Sequence, residues 1–144
     1  MLNEDLIEMA FIDQLTGQGF EFHHGPDIAP DSDNPQRKNF DSVVLENELL
    51  KAIERLNPGV PSPAINEAHQ KVLNLGTEDI MENNECFHTY LTSGVPVEFT
   101  KDGTSKGVNV DLLDIEKPEN NSFWIVNQLV IIENNNNRRL DVVI

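Results

Sequence analysis

Phe123-Trp124-Ile125-Val126-Asn127-Gln128-Leu129-Val130-Ile131-Ile132 is the most apolar stretch of the chain. A polar run, Glu133 to Asn137, closes it before Arg139 to Ile144 turns apolar again. Such a run, bounded by turn residues, predicts a strand apolar enough to be buried on both faces, with the segment after the turn starting another strand. Asn127-Gln128 interrupts the stretch, which is in any case too short to cross a bilayer.

Working back toward the N-terminus, the hydrophobic period is two after Gly94. Val95, Val97 and Phe99 share one strand face, Lys101-Asp102-Gly103 is a turn, and Val108, Val110 and Leu112 continue as the partner strand. Before Gly94 the period is helical. Asn3 can cap a first helix with Glu4 and Asp5 in its first turn. Leu6, Ile7, Ala10, Phe11 and Leu15 form its apolar stripe, and Gly17 or Gly19 ends it. Phe20-Glu21-Phe22-His23 alternates like a short strand, and the proline- and Asp/Asn-rich segment from Gly25 to Asn39 reads as an irregular arm. Asp41 or Ser42 can cap a second helix carrying Val44, Leu45, Leu49, Ile53 and Leu56, stopped by Asn57-Pro58-Gly59. Ser62-Pro63 reads as a cap with proline in the first helical position, opening a third helix that presents Ile65, Ala68, Val72 and Leu73. A fourth helical segment is expected from Glu82 to Leu91. Helices and strands therefore mix, an α/β (α+β) chain.

At 144 residues and 16.2 kDa the chain is the size of one domain. With 38% hydrophobic and 24% charged residues it is globular in composition. Twenty-five Asp and Glu against 10 Lys and Arg give a net charge of −15 and a pI near 4.4. A module that holds nucleic acid by phosphate contacts alone needs a net positive face, so that class is excluded; a domain that borrows its DNA affinity from neighbours is not. One cysteine, Cys86, allows no internal disulfide and points to a reducing compartment. The acidic opening, Met1 to Asp5, lacks the basic and apolar regions of a signal peptide. A cytoplasmic protein with no membrane partner is expected, and the sequon Asn120-Asn121-Ser122 then has no meaning for glycosylation. The chain stops inside the apolar run Val142-Val143-Ile144, which reads as a truncated piece of a longer protein.

Several possible motifs dissolve on inspection. Asp27, Asp31 and Asp33 suggest a calcium loop, but counting from Asp31 the turn-glycine position is Gln36 and the closing Glu position is Ser42, so a solvated arm is the better reading. Gly103-Thr104-Ser105-Lys106-Gly107 lacks the Gly-Lys-Ser/Thr ending of a phosphate loop and is a hairpin turn. His23 and His24 are neighbours on a strand and point to opposite faces; Cys86 and His88 lie on different faces of a helix. Two acids remain. Glu8 lies beside the apolar stripe of the first helix, and Asp141 sits in an apolar strand, where a carboxylate is costly unless paired or metal-bound. A strand aspartate followed, after a hairpin, by Glu-x-Lys is the core of a Mg2+-dependent nuclease site in which carboxylates hold the metal and lysine activates water.

Several segments, in order along nearly the whole chain, resemble the N-terminal nuclease domain of type I restriction enzyme R (restriction and translocation) subunits. They are His24-Gly25-Pro26-Asp27-Ile28-Ala29-Pro30, Val43-Val44-Leu45-Glu46 and Arg55-Leu56-Asn57-Pro58. Further on come Glu82-Asn83-Asn84, His88, Gly94-Val95-Pro96-Val97-Glu98 and Pro118-Glu119-Asn120-Asn121, then Val126-Asn127-Gln128 and Asn137-Arg138-Arg139-x-Asp141. The resemblance implies a restriction-endonuclease-like PD-(D/E)xK core, a mixed central sheet flanked by helices, with residues 1–144 its N-terminal part. It implies that Asp141 is the catalytic, metal-binding aspartate and that Glu8 completes the Mg2+ site. Two departures stand out: Leu140 replaces the usual proline before Asp141, and the Glu-x-Lys strand would lie beyond Ile144. The fragment alone is therefore expected to be inactive.

For the full-length subunit the resemblance implies ATP-driven motor domains, cleavage of unmodified double-stranded DNA, and assembly with methyltransferase and specificity subunits. Arg138 and Arg139 are the local candidates for a phosphate contact, or a solvated hairpin end. The competing reading is a non-catalytic acidic module that docks onto partner proteins and imitates the charge of DNA.

Overall fold

The structure, a computed structural model, describes residues 3–144. Its elements are α1 (Glu4–Thr16), β1 (Glu21–His24), α2 (Glu46–Leu56), α3 (Ser62–Leu73), α4 (Ile80–Ser93), β2 (Val95–Lys101), β3 (Thr104–Val110), β4 (Trp124–Glu133) and β5 (Asn136–Val143), with 3-10 turns at Gly25–Ile28 and Pro118–Asn120. They divide into two units: residues up to Glu46 together with Ser122–Ile144, and residues Asn47–Asn121. The second unit is thus an insertion in the connection between β1 and β4. No helix among the described residues is long and apolar enough to cross a membrane.

The expected single central sheet is corrected to two sheets. β2 and β3 pair only with each other, while β1, β4 and β5 form a three-stranded sheet in the order β1-β4-β5. The latter is mixed, as expected: β1 runs parallel to β4 and β4 antiparallel to β5. The physical reason for the separation is visible in β2, where Val95 and Val97 are buried but Pro96 and Glu98 are exposed. A strand with one wet face suits a two-stranded hairpin laid on a helix, and α3 covers it. Both hairpins close through two-residue turns with left-handed residues, Asp102-Gly103 (φ 53° and 75°) and Asn134-Asn135 (φ 49° and 61°). Asp, Asn and Gly tolerate that region best.

The core of the second unit is Ile53, Ala64, Ile65, Ala68, Val72, Val95, Val97, Val110 and Leu112. Removing each of its larger side chains from water contributes roughly 1.5–3 kcal/mol. Asn57, whose local pattern reads as part of a helix stop, is a buried bracket. Its Nδ2 donates to the Ile53 and Asp111 carbonyls, both at 2.8 Å, and its Oδ1 accepts from the Asp111 N–H at 2.8 Å. In the following loop Asp114 accepts from Asn120 Nδ2 (2.7 Å) and from the Lys117 N–H (2.9 Å), which together hold its carboxyl below the ordinary aspartate range.

In the first unit Ile28, Val126 and Leu129 form the core, with Trp124 and Val143 against it. Val126 and Leu129 are three residues apart, so on a regular strand they would face opposite sides. They join one cluster because Gln128 between them is left-handed, with φ 53°, and resets the phase. A non-glycine residue there costs about 1–2 kcal/mol. The expectation that this strand is buried on both faces holds at Ile125 and Val126 and fails further on, where Ile132 is exposed.

The arm from Gly25 to Asn39 is tied down by a residue the sequence did not advertise. Arg37 is buried, and its guanidinium donates from Nη1 to the Ser42 carbonyl and from Nη2 to the Val130 carbonyl, both at 2.9 Å. Burial pulls its pKa below the ordinary arginine value. This anchor explains why α2 starts at Glu46 rather than after Asp41 or Ser42: Arg37 holds the Ser42 carbonyl, and Ser42 N–H closes a turn on the Asn39 carbonyl.

Candidate functional site

Of the α1 residues Glu4 to Phe11, Glu8 is the one that is not fully exposed. Leu6, Ile7, Met9 and Phe11 are all more than 40% exposed, while Glu8, Ile12 and Leu15 are half-buried, so the less exposed face of the helix carries the acid and, of the expected stripe, Leu15 alone. The cause is a set of hydrogen bonds. Asn127 Nδ2 donates to Glu8 Oε1 at 2.9 Å, and Gln128 Nε2 donates to Oε2 at 3.2 Å and, more weakly, to Oε1 at 3.4 Å. Both amides lie on β4 within the first unit.

The chain of donors continues into β1. His24 and Asn127 are register partners, and His24 Nδ1 lies 2.8 Å from Asn127 Oδ1. A carboxylate only accepts, so the Asn127 amino group must face Glu8 and its carbonyl must face His24. His24 Nδ1 therefore carries the proton. His23, on the other face as expected from strand alternation, stacks on Trp124 with ring centroids 3.7 Å apart and lies 2.9 Å from Glu21 Oε1. It takes no part in the Glu8 cluster.

Gly25 completes the construction. A Cβ there would sit 2.5 Å from the Asn127 carbonyl oxygen and 2.6 Å from that of Gln128, so only glycine lets the chain leaving β1 pass this close to β4.

Asp141 lies on β5. The β4–β5 register runs Val126↔Val143, Asn127↔Val142 and then Leu129↔Leu140, which leaves Asp141 facing Gln128 across the one skipped step. Asp141 is exposed, so the burial cost expected for a carboxylate in an apolar strand does not arise. What singles it out is position: it stands opposite the residue that hydrogen-bonds Glu8. Arg138 and Arg139 are adjacent on β5, both exposed, and neither forms an ion pair among the described residues. Strand alternation puts Arg139 on the face of Asp141 and Arg138 on the other.

Among the described residues no group of three or more His, Cys, Asp or Glu gathers into a metal-binding cluster. Glu8 and Asp141 are hard oxygen donors, the kind Mg2+ prefers. That ion is commonly held by one or two carboxylates, with water and phosphate oxygens filling the rest of its octahedron. By donor type, these two carboxylates are compatible with part of a Mg2+ site. Of the other motifs considered, Asp27, Asp31 and Asp33 are exposed on the arm, Gly103 closes a hairpin, and Cys86 hydrogen-bonds Tyr90 on α4, which together with burial pushes the Tyr90 hydroxyl's pKa up.

Sequence reasoning named Glu8 and Asp141 but missed His24, Gly25, Asn127 and Gln128 as a unit. The available signal was the pair of amides inside an otherwise apolar strand, since polar groups in such a place need partners.

These features define a mixed α/β chain with a candidate carboxylate site at the meeting of a helix and a sheet. Over residues 1–144 it matches the family model described as type I restriction enzyme R protein N terminus. It is 32% identical, over its full length, to the type I restriction enzyme HindI endonuclease subunit of Haemophilus influenzae, of which the match covers 14%. It is 31% identical, over 99% of its length, to a Methanocaldococcus jannaschii protein described as the MjaIXP type I restriction enzyme endonuclease subunit, again covering 14% of that protein. No solved structure matches significantly. The chain belongs to the type I restriction enzyme R protein N-terminal family.

Proposed function

We propose that residues 1–144 are the first part of a PD-(D/E)xK nuclease core, in an R subunit that cuts unmodified double-stranded DNA with Mg2+ while its motor domains translocate the duplex using ATP. The single observation that carries this reading is the clasped carboxylate of Glu8 beside the β4–β5 step that faces Asp141. The names of the relatives support the endonuclease assignment. The chain spans 14% of their length. The proposal assigns motor, methyltransferase and specificity functions to other domains and subunits.

In this mechanism Glu8 and Asp141 supply anionic oxygens to the cation. When bound, Mg2+ supplies Lewis-acid stabilisation of charge at the scissile phosphate and an activated water. Asn127 and Gln128 keep Glu8 from swinging into solvent. Arg138 and Arg139, adjacent and exposed on β5, are the candidates for a phosphate contact, with Arg139 on the face of Asp141. The charge of −15 repels a duplex at long range, so the grip on DNA comes from elsewhere in the assembly.

The proposal places two carboxylates of the site in this chain and assigns the Glu-x-Lys strand of such cores to a position after β5. The purified 144-residue chain should therefore leave supercoiled plasmid intact in the presence of Mg2+ and ATP, and the full-length subunit with its partner subunits should cut it. Reproducible nicking by the short chain, abolished by Asp141→Ala, would falsify the half-site reading. An uncut plasmid with the full assembly under restricting conditions favours the acidic docking module instead.

A further inference from the structure

We infer that Asn127, Gln128 and His24 are positioning residues that set the metal affinity of the site through Glu8, and that the left-handed turn at Gln128 exists to deliver that residue's amide to the carboxylate. The inference rests on the reading of Glu8 as a metal ligand given above and deepens it.

Three independent features converge on this point of β4. The first is the divided labour of the donors: Asn127 reaches Oε1 and Gln128 reaches mainly Oε2, so each carboxylate oxygen is held by its own amide and the plane of the group is fixed. Oε2 accepts a single amide hydrogen bond and keeps lone-pair capacity beyond it, available to a cation.

The second is the backbone. On a regular strand, successive side chains point to opposite faces, so Asn127 and Gln128 could not both reach one carboxylate. With φ 53° at Gln128 both do. Strained conformations of this kind persist where the surroundings over-determine them, and they cluster at functional sites. Here the surroundings are Gly25, whose missing side chain admits the chain against the Asn127 and Gln128 carbonyls, and the register pair His24↔Asn127.

The third is His24. Its Nδ1–H fixes the Asn127 amide in the orientation that donates to Glu8. Were the amide to flip, its carbonyl would face the carboxylate and repel it. His24 therefore acts on Glu8 at one remove, as outer-shell partners commonly act on metal ligands.

The test is a titration of the nucleotide-free full-length subunit with Mn2+, read by the loss of the free-ion electron paramagnetic resonance signal. Asn127→Leu keeps the side chain's shape and removes the donor. Gln128→Gly removes the donor and relaxes the left-handed backbone, so any loss of affinity reports the side chain rather than a disturbed fold. Each should raise the Mn2+ half-saturation concentration roughly 10- to 100-fold, the usual scale for outer-shell partners, and excess Mn2+ should restore binding. His24→Ala should act in the same direction and more weakly. In a Glu8→Ala background the same substitutions should change nothing further, because residues that act through Glu8 lose their effect when it is absent.

If Glu8→Ala and Asp141→Ala weaken Mn2+ binding but Asn127→Leu and Gln128→Gly leave it unchanged, the positioning role is wrong and the metal site stands. Additive losses in the Glu8→Ala background also overturn it. If neither carboxylate variant alters Mn2+ binding, the metal reading itself falls and takes this inference with it.

Discussion

Asp141→Asn in the full-length subunit, assembled with its partners, is expected to lower DNA cleavage about a thousandfold while ATP hydrolysis and translocation stay near normal. The substitution keeps the size and shape of the side chain and removes its charge. Asp141 is exposed on β5, so little packing energy is at stake and the fold has no reason to respond. The loss falls on the cation: with one of two carboxylates gone, the stabilisation of charge at the phosphate drops by roughly 4 kcal/mol, and each 1.36 kcal/mol is about tenfold in rate. In the proposed assembly, ATP turnover would rely on residues outside this chain. Asp141→Ala should behave alike. If both variants restrict DNA at near-normal rates, Asp141 is a surface acid with no chemical role. If both abolish ATP hydrolysis as well, the substitution disturbs assembly and the catalytic assignment gains no support.

Gly25→Ala carries the second large effect, and here the energetics are steric. The added methyl would meet the Asn127 carbonyl oxygen at 2.5 Å and the Gln128 carbonyl oxygen and carbon at 2.6 and 2.8 Å, all of them backbone atoms. Side chains can rotate away; this backbone can yield only by breaking the His24↔Asn127 pairing at the end of β1. A destabilisation of about 3 kcal/mol is expected, at the upper end for overpacking. It should appear as a lower urea midpoint with an unchanged slope. Gly107→Ala is the control. Nothing lies within 4 Å of a Cβ there, and its φ is not in the left-handed region, so that change should be neutral or mildly stabilising. Equal behaviour of the two variants would mean that the close approach at Gly25 is not a constraint on the fold.

How much of this was legible in the sequence depends on the kind of signal. The β2–β3 hairpin was readable because its alternation, Val95, Val97 and Phe99, brackets an Asp-Gly turn whose conformation few other residues accept. The stop of α2 at Asn57-Pro58-Gly59 was readable for the same local reason. Helix starts were less so. Ser62 is the first residue of α3 rather than its cap, since the Ala64 and Ile65 N–H groups bond to the Pro61 carbonyl. The start of α2 depends on Arg37, which is a contact across 93 residues to Val130 and leaves no local mark.

The facing of α1 was the least legible. A stripe of Leu6, Ile7 and Phe11 argues for burying that side, yet Glu8 faces β4 because three hydrogen bonds hold it there. Those bonds involve residues about 120 positions away, and their geometry requires a positive φ at Gln128, a residue type with no preference for it. Hydrophobic periodicity cannot report such a site. Two amides inside an apolar strand could have.

The most direct measurement is the anomalous scattering of Mn2+ in crystals of the full-length subunit. The expected result is a single strong peak beside β5, coordinated by Asp141, with Glu8 binding it directly or through one water and still hydrogen-bonded to Asn127 and Gln128. A peak bound by neither carboxylate, or Glu8 and Asp141 on opposite sides of the sheet, would contradict the site proposed for this chain.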